Sequence, residues 1–488
     1  MNNNKLVFTI ITLLSVFFTA CNNSVDSFTA NSQDAKIHPL YEGTYIPYNI
    51  APLNFQLKEN KESYLVSFVV EGVDSFSVST KDKVIIPIKK WKKLLENNKE
   101  KNLLVKIFAK SNGTWEKYND IVFTISKDAV DPYIAYRLIE PGYNAWNKMG
   151  LYQRSLENYE ETPIMLNSLT DANCMNCHTF HKNNPELMVF HMRAKNGGTL
   201  FVKDGEVKKV DTKAPWAISA GVYPRWHPDA RYIAFSTNKT FQVFHTLDKN
   251  KIEVFDMESD LVIYDTEQDR IFTDSIIKRK DSFESFPEWS ADGKYLYFCT
   301  AEAKQMPYSY DQMFYSLVRV PFDAATGKIS AEVDTIVSAY EMGKSISIPR
   351  ISPDGDKLVF CMFDYGTFPI WHKENDLYEI DLNTREIKAL TEVNSKESDS
   401  FHSWSSNSRW LMLSSRRGDG TYTRPYIAYR DDSGNWHKPF VVPQKDPEYY
   451  DYLMKSYNVP EFITGKVKIS PNEFERVAKG EALVPKSK

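Results

Sequence analysis

Beyond its first twenty residues the chain of 488 residues has no long hydrophobic run, which leaves no second segment resembling the first and no series of membrane-spanning helices. It has little net charge of either sign. Sixty Lys and Arg face 64 Asp and Glu for a balance of −4, scattered along the chain, so nothing is basic enough to track nucleic acid. Cysteine is scarce, five in all, and each can be read by its own surroundings. No paired-carboxylate constellation or second cofactor motif accompanies them, and the 45 residues after Pro443 are too few for a hydrolase domain of α/β type. Apolar material is present in quantity. Hydrophobic residues make up 42% and aromatics 14%, which excludes disorder, collagen and coiled coil as descriptions of the whole. Twenty-eight tyrosines and 29 phenylalanines among many short polar turns favour strands over helices, and a mainly β protein is expected.

The first segment reads as an export signal. Lys5 precedes an apolar run from Leu6 to Ala20, the length of a signal-peptide core and short for a transmembrane helix. It ends Phe18-Thr19-Ala20-Cys21, which resembles a bacterial lipoprotein cleavage site and implies residues 1–20 as signal peptide and a lipidated Cys21 as anchor. An ordinary signal with an incidental cysteine is the alternative. Asn22 follows where an aspartate would imply retention at the inner membrane. The resemblance therefore implies a cell-envelope protein, on the periplasmic side of the outer membrane rather than at the inner membrane or cell surface.

Residues 174 to 178 read Cys-Met-Asn-Cys-His, the c-type haem attachment pattern. The chemistry needs this spacing. Two thiols add across the haem vinyl groups, and the histidine beside the second becomes the proximal iron ligand. One covalent haem c on Cys174 and Cys177, with iron on His178, is expected. A disulfide or metal-binding dithiol is the alternative, although zinc would want a second ligand pair, and none is near.

Four segments repeat a pattern: Tyr223-Pro-Arg-Trp-His-Pro-Asp229, Phe286-Pro-Glu-Trp-Ser-Ala-Asp292-Gly, Ile348-Pro-Arg-Ile-Ser-Pro-Asp354-Gly and Phe401-His-Ser-Trp-Ser-Ser-Asn407-Ser, each followed by alternating apolar residues and a second hairpin. The Asp-Gly or Asn-Ser pair makes a tight turn between two strands, and four strands make a blade. These repeats resemble those of TolB-type β-propeller lipoproteins with WD40-like repeats, over roughly residues 184–443. A fifth, weaker copy is Asn184-Pro-Glu-Leu-Met-Val-Phe-His191, so the haem motif opens a blade. Five blades are visible and a sixth is possible. Spacings wider than a compact blade point to insertions at 238–260 and 300–314.

Aligning the fifth copy with the others puts His178 in the slot of Tyr223 and His181 in that of Trp226. It makes Met188, in line with Ile233, a core residue, and gives His191 a position where its siblings keep Ser236, Cys299, Cys361 or Ser414. His191 is thus the first candidate for distal haem ligand. Met188 and Met192 are weaker ones, His181 weaker still, and an open position remains. Cys299 and Cys361 read as free buried thiols.

The rest divides into a tether (21–40), an immunoglobulin-like β-sandwich (41–130), an aromatic connector (131–170), the propeller (171–443) and a C-terminal extension (444–488). Ile88, Trp91, Leu94 and Leu95 lie at helical spacing, as in a short surface helix. Three functions are carried forward. The first is a lipid-anchored monohaem cytochrome passing electrons to a redox partner protein, or sensing redox state. The second is an interaction scaffold binding an envelope protein or glycan. The third is a haem enzyme reducing a small oxidant. The first, an electron carrier or binding module rather than an enzyme, leads.

Overall fold

The structure, a computed structural model, describes residues 25, 27–72, 75–141 and 148–487. The lipid-anchor call at Cys21 lies outside the described residues, as does most of the signal and tether region.

The N-terminal unit is a β-sandwich. Strand Asn102–Ser111 alternates buried and half-buried residues, as a strand with one face on a core must. It pairs antiparallel with Ser63–Val69, Thr114–Lys117 and Ile121–Ser126 in a seven-stranded sheet. A three-stranded sheet of Ile37–His38, Phe55–Leu57 and Lys83–Val84 faces it. Phe55, Phe68, Trp91, Val105 and Phe123 fill the space between. The helix expected from the spacing of Trp91, Leu94 and Leu95 spans Ile88–Glu96 and buries those three side chains. The Trp91 indole N–H donates to the Ile50 carbonyl at 3.0 Å, satisfying the polar atom that burial would otherwise strand.

The remainder is a ring of six sheets, four of them four-stranded and two five-stranded, and we number these blades from the chain's N-terminal side. Blades 2 to 6 open on the inner strands Met175–Phe180, Val222–Trp226, Ser282–Trp289, Ser345–Ile351 and Asp399–Trp404. Each continues outward through antiparallel neighbours. Blade 1 is built from both ends of the propeller sequence. The stretch 131–170, read from sequence as a connector, supplies Tyr133–Ile139, Gly150–Ser155 and Glu161–Leu166. The C-terminal stretch supplies the inner strand Ser456–Ile463, antiparallel to Tyr133–Ile139. That strand packs beside the inner strands of blades 6 and 2, so the ring closes by pairing its ends. The sixth blade was therefore hidden in segments called connector and extension, and those two boundaries are corrected.

The repeat residues have visible work. The Trp289 indole donates to the Arg225 carbonyl one blade back, and Trp404 donates to that of Arg350, at 3.1 Å each. The turn before each second strand presses on the preceding blade as well. Gly293 (φ +73°) donates its N–H to the Ser290 carbonyl at 2.9 Å, and its own carbonyl lies 2.9 Å from His227 Nε2. A Cβ there would fall 2.4 Å from the same nitrogen, so glycine is required. The insertion expected at 238–260 is a long hairpin arm within strands Tyr232–Phe244 and Ile252–Asp265. The helix Pro471–Lys479, capped by Ser470, seals the outside of blades 1 and 2 with Phe474 and Ala478.

Candidate functional site

All six inner strands carry one residue in the left-handed region: Cys177, Tyr223, Phe286, Ile348, Phe401 and Val459, with φ between +44° and +55°. At each the pairing with the neighbouring strand slips by a residue, the signature of a β-bulge. Cys177 is thus the counterpart of Tyr223, and the sequence alignment of this strand is corrected by one residue. His178 matches Pro224, Pro287, Pro349, His402 and Pro460, and Phe180, not His181, matches Trp226. The slip comes from the turn after Phe180, one residue longer than in blade 3, where Lys182 and Asn183 both adopt positive φ. The second-strand register was read correctly, with Met188 beside Phe180 as Ile233 is beside Trp226.

The next position outward in this register holds Thr179, Arg225, Glu288, Arg350, Ser403 and Glu461, one from each blade, around the axis. Arg225 meets Glu461 at 3.2 Å and Glu288 at 3.4 Å, and Arg350 meets Glu288 at 3.5 Å. Two arginines and two glutamates leave this ring neutral. It separates two mouths: a cavity of about 330 Å³ on one side and one of about 360 Å³ on the other, with Arg225 and Arg350 lining both. His181 lies at the first mouth, its Nε2 3.1 Å from the Pro228 carbonyl.

Cys174, Cys177 and His178 all line the second cavity. Both thiols are free and half-buried. Burial pushes the Cys177 thiol up, against the pull of the Arg193 and Arg137 guanidinium groups nearby. His178 is 3% exposed, and no side chain satisfies either ring nitrogen; the Ala135 backbone is the hydrogen-bonding group beside it. A buried imidazole left without partners is costly, and most are satisfied. His402, in the same slot of blade 6 and 2% exposed, shows the ordinary solution: its Nε2 lies 2.8 Å from the Val359 carbonyl. Burial lowers the His178 pKa to about 4, with Glu461 and the Ala135 backbone pulling upward and Arg137 and Arg225 downward. The ring is therefore neutral at neutral pH, the state in which imidazole binds a metal.

The walls suit a large flat anionic group. Phe368, Trp371, Phe401 and Val459 are apolar, and Arg137, Arg193 and Arg416 bring positive charge. Arg137 also braces the mouth, donating to the Met175 carbonyl at 2.9 Å and to Asn458 Oδ1 at 2.6 Å, and so ties blade 1 to the inner strand of blade 2. The hairpin arm crosses above: Thr240, Gln242 and Val254 line the cavity. Its far end is held on blade 5 by Glu253, which meets His372 at 3.0 Å and Tyr365 at 2.7 Å, and by Lys249, 2.7 Å from Asp364.

The structure does not bring the distal-ligand candidates to this cavity. His191 Nδ1 lies 3.0 Å from Thr199 Oγ1, which in turn meets Thr212 at 3.0 Å, and burial holds its pKa down to about 3. Met188 and Met192 sit in the core on the opposite face of their strand, with Phe190 and Phe474. Cys299 and Cys361 are free and fully buried.

Sequence reasoning missed Arg137, Asn458 and Val459, because blade 1 was not recognised. A signal was available: Val459-Pro-Glu-Phe462 repeats the inner-strand pattern of Phe286-Pro-Glu-Trp289.

No known protein family matches the sequence, and no curated protein is similar to it. Among solved structures the chain is similar to tricorn protease, at 13% identity and a TM-score of 0.34 over 70% of this chain and 34% of that one. It is also similar to oligogalacturonate lyase in complex with manganese (12%, 0.35, 64% and 74%) and to the periplasmic gluconolactonase of Pseudomonas aeruginosa (12%, 0.33, 64% and 96%). The chain spans about a third of the length of tricorn protease. Likenesses this distant carry nothing about activity, and the six-bladed propeller rests on the closed ring of strands described above.

Proposed function

We propose that the protein is a monohaem c-type cytochrome on a propeller scaffold, transferring electrons or sensing redox state in the cell envelope. The observation that carries this reading is the convergence of two free thiols and a buried His178 with no side-chain partner on one cavity, in a sequence with the spacing that haem attachment requires. In this reading Cys174 and Cys177 hold haem c through thioethers, and His178 is the proximal ligand. Arg137 and Arg416, which line the cavity, would offer positive charge to the propionates. When bound, haem supplies a one-electron iron couple, whose potential the axial ligand, burial and nearby charge set.

The residues of the chain do the remaining work. The bulge at Cys177 aims that thiol toward the channel mouth, while the neighbouring sheets hold His178 neutral and keep water from its ring. The neutral Arg–Glu ring beyond it limits access from the opposite mouth. A cavity of about 360 Å³ falls within the roughly 300–1,000 Å³ of small-molecule and cofactor sites. The proposal places the protein on the periplasmic side of the outer membrane, anchored through Cys21, with a redox protein as partner. The test is expression with cytochrome c maturation factors, followed by an in-gel haem stain and a pyridine haemochrome spectrum. Covalent haem in the wild type and its loss in Cys174→Ala/Cys177→Ala are expected. A wild type without haem overturns the reading and leaves a binding scaffold.

A further inference from the structure

We propose that the iron held by His178 receives no second axial ligand from the protein and is open to a small exogenous anion, drawn in by Arg193; this rests on the haem reading above. Among the described residues that line the cavity, His178 is the only imidazole, and neither methionine nor lysine is present. Arginine stays protonated and does not bind iron, and the two thiols are consumed in attachment. Tyr223 and Glu140 are the remaining donors of note, and the Glu140 carboxylate is drawn toward Lys455, 3.7 Å away. The Tyr223 ring is held in place by packing 4.3 Å from that of Phe286.

The three side chains that sequence alone would nominate are engaged elsewhere. His191 is locked to Thr199, and Met188 and Met192 are packed into the core between blade 2 and the C-terminal helix. Supplying any of them would require the second strand of blade 2 to leave its pairing with Met175–Phe180 and Gly198–Lys203.

Arg193 gives the open position its preference. It follows that same strand, its backbone N–H donates to the Cys174 carbonyl at 2.9 Å, and its exposed guanidinium has no partner among the described residues. It lies close enough to Cys177, Tyr223 and Arg137 to act on each electrostatically. Its positive charge beside that of Arg137 favours an anion such as azide, cyanide or nitrite over a neutral ligand.

The experiment uses the matured holoprotein. Ferric electron paramagnetic resonance and absorption spectra should show high-spin iron, azide should convert it to low-spin with a single saturating site, and the ferrous form should bind carbon monoxide. Arg193→Ala should weaken azide about tenfold or more, the scale of a lost charge-assisted hydrogen bond, with carbon monoxide affinity unchanged. Arg193→Lys should restore part of the azide affinity. Low-spin ferric iron that rejects azide would overturn the proposal while leaving the cytochrome reading intact, and conversion to high-spin in His191→Ala or in Met192→Leu would name the ligand responsible. Equal weakening of azide and carbon monoxide would overturn the role of Arg193. Absence of covalent haem would overturn both readings, and the pyridine haemochrome of the same sample reports it directly.

Discussion

The hairpin arm over the haem-motif mouth should be fastened by one protonated histidine. His372 is 3% exposed and lies between two carboxylates, with Nε2 3.0 Å from Glu253 and Nδ1 3.2 Å from Glu374. Asn250, Phe363 and Tyr365 complete its surroundings, and Lys249 pairs with Glu374 on the far side. Burial opposes charging the ring, but the hydrogen bonds to Glu253 and Glu374 outweigh it and raise the pKa from 6.5 to about 9. That shift corresponds to about 3 kcal/mol of extra stability from the charged ring. Because the folded value lies above the unfolded one, the contribution is complete below pH 6.5 and fades as pH rises toward and past 9. His372→Gln removes the charge and leaves Glu253 buried with Tyr365 as its remaining partner, a loss of about 3–5 kcal/mol at pH 7. Urea denaturation of wild type and variant from pH 6 to pH 10 tests this. The wild type should lose stability between about pH 6.5 and 9, and the gap between the proteins should narrow by about 3 kcal/mol over that window. Hydrogen exchange should show the loss first in residues 238–258, which the latch pins to blade 5. A constant gap, or unchanged exchange in the arm, would refute the assignment.

Other expectations follow from the same geometry. In protein lacking haem, Ellman's reagent should titrate Cys174 and Cys177 quickly and Cys299 and Cys361 only on unfolding; burial pushes the Cys361 thiol up to about 12 and that of Cys299 further still. Trp289→Phe strands the Arg225 carbonyl that the indole now satisfies and should cost about 1–3 kcal/mol by urea midpoint, with little change in the circular dichroism of the folded protein. Ending the chain at Pro443 removes the inner strand of blade 1 and exposes the edge of Tyr133–Ile139, so insoluble protein is expected. Ending it after Gly480 removes the bridge of Leu483 to Val210 on blade 2 and the exposed pairing of Lys486–Ser487 with blade 3, leaves every blade's own strands in place, and should leave a soluble, cooperatively folding protein in a thermal melt.

The strand-rich class and five of the blades were legible because each blade carries its own Asp-Gly or Asn-Ser turn and an alternating strand after it. Blade 1 was not, because its defining strand is separated from the rest by nearly the whole propeller: Val459-Pro-Glu-Phe462 has the inner-strand pattern but no turn and second strand behind it. A local repeat search sees half a unit at each end. The thiols and His178 were found from spacing alone, since attachment chemistry acts on adjacent residues. The arginines around them were not, because Arg137, Arg193 and Arg416 meet only when three blades close the ring. The misplaced histidine register has an equally local cause, one extra residue in the turn at Lys182 and Asn183, and a shift of one residue is invisible to hydrophobic alternation when both neighbours are buried.

The central claim is that Cys174, Cys177 and His178 form a haem-attachment site. Its most direct test is mass spectrometry of the proteolytic peptide containing residues 174–178, from protein matured in cells that attach haem. The account predicts that this peptide has the mass of one haem added through both cysteines, with the haem absorbance travelling with it through chromatography. The same peptide recovered with two free thiols, or with Cys174 and Cys177 joined to each other, would contradict it.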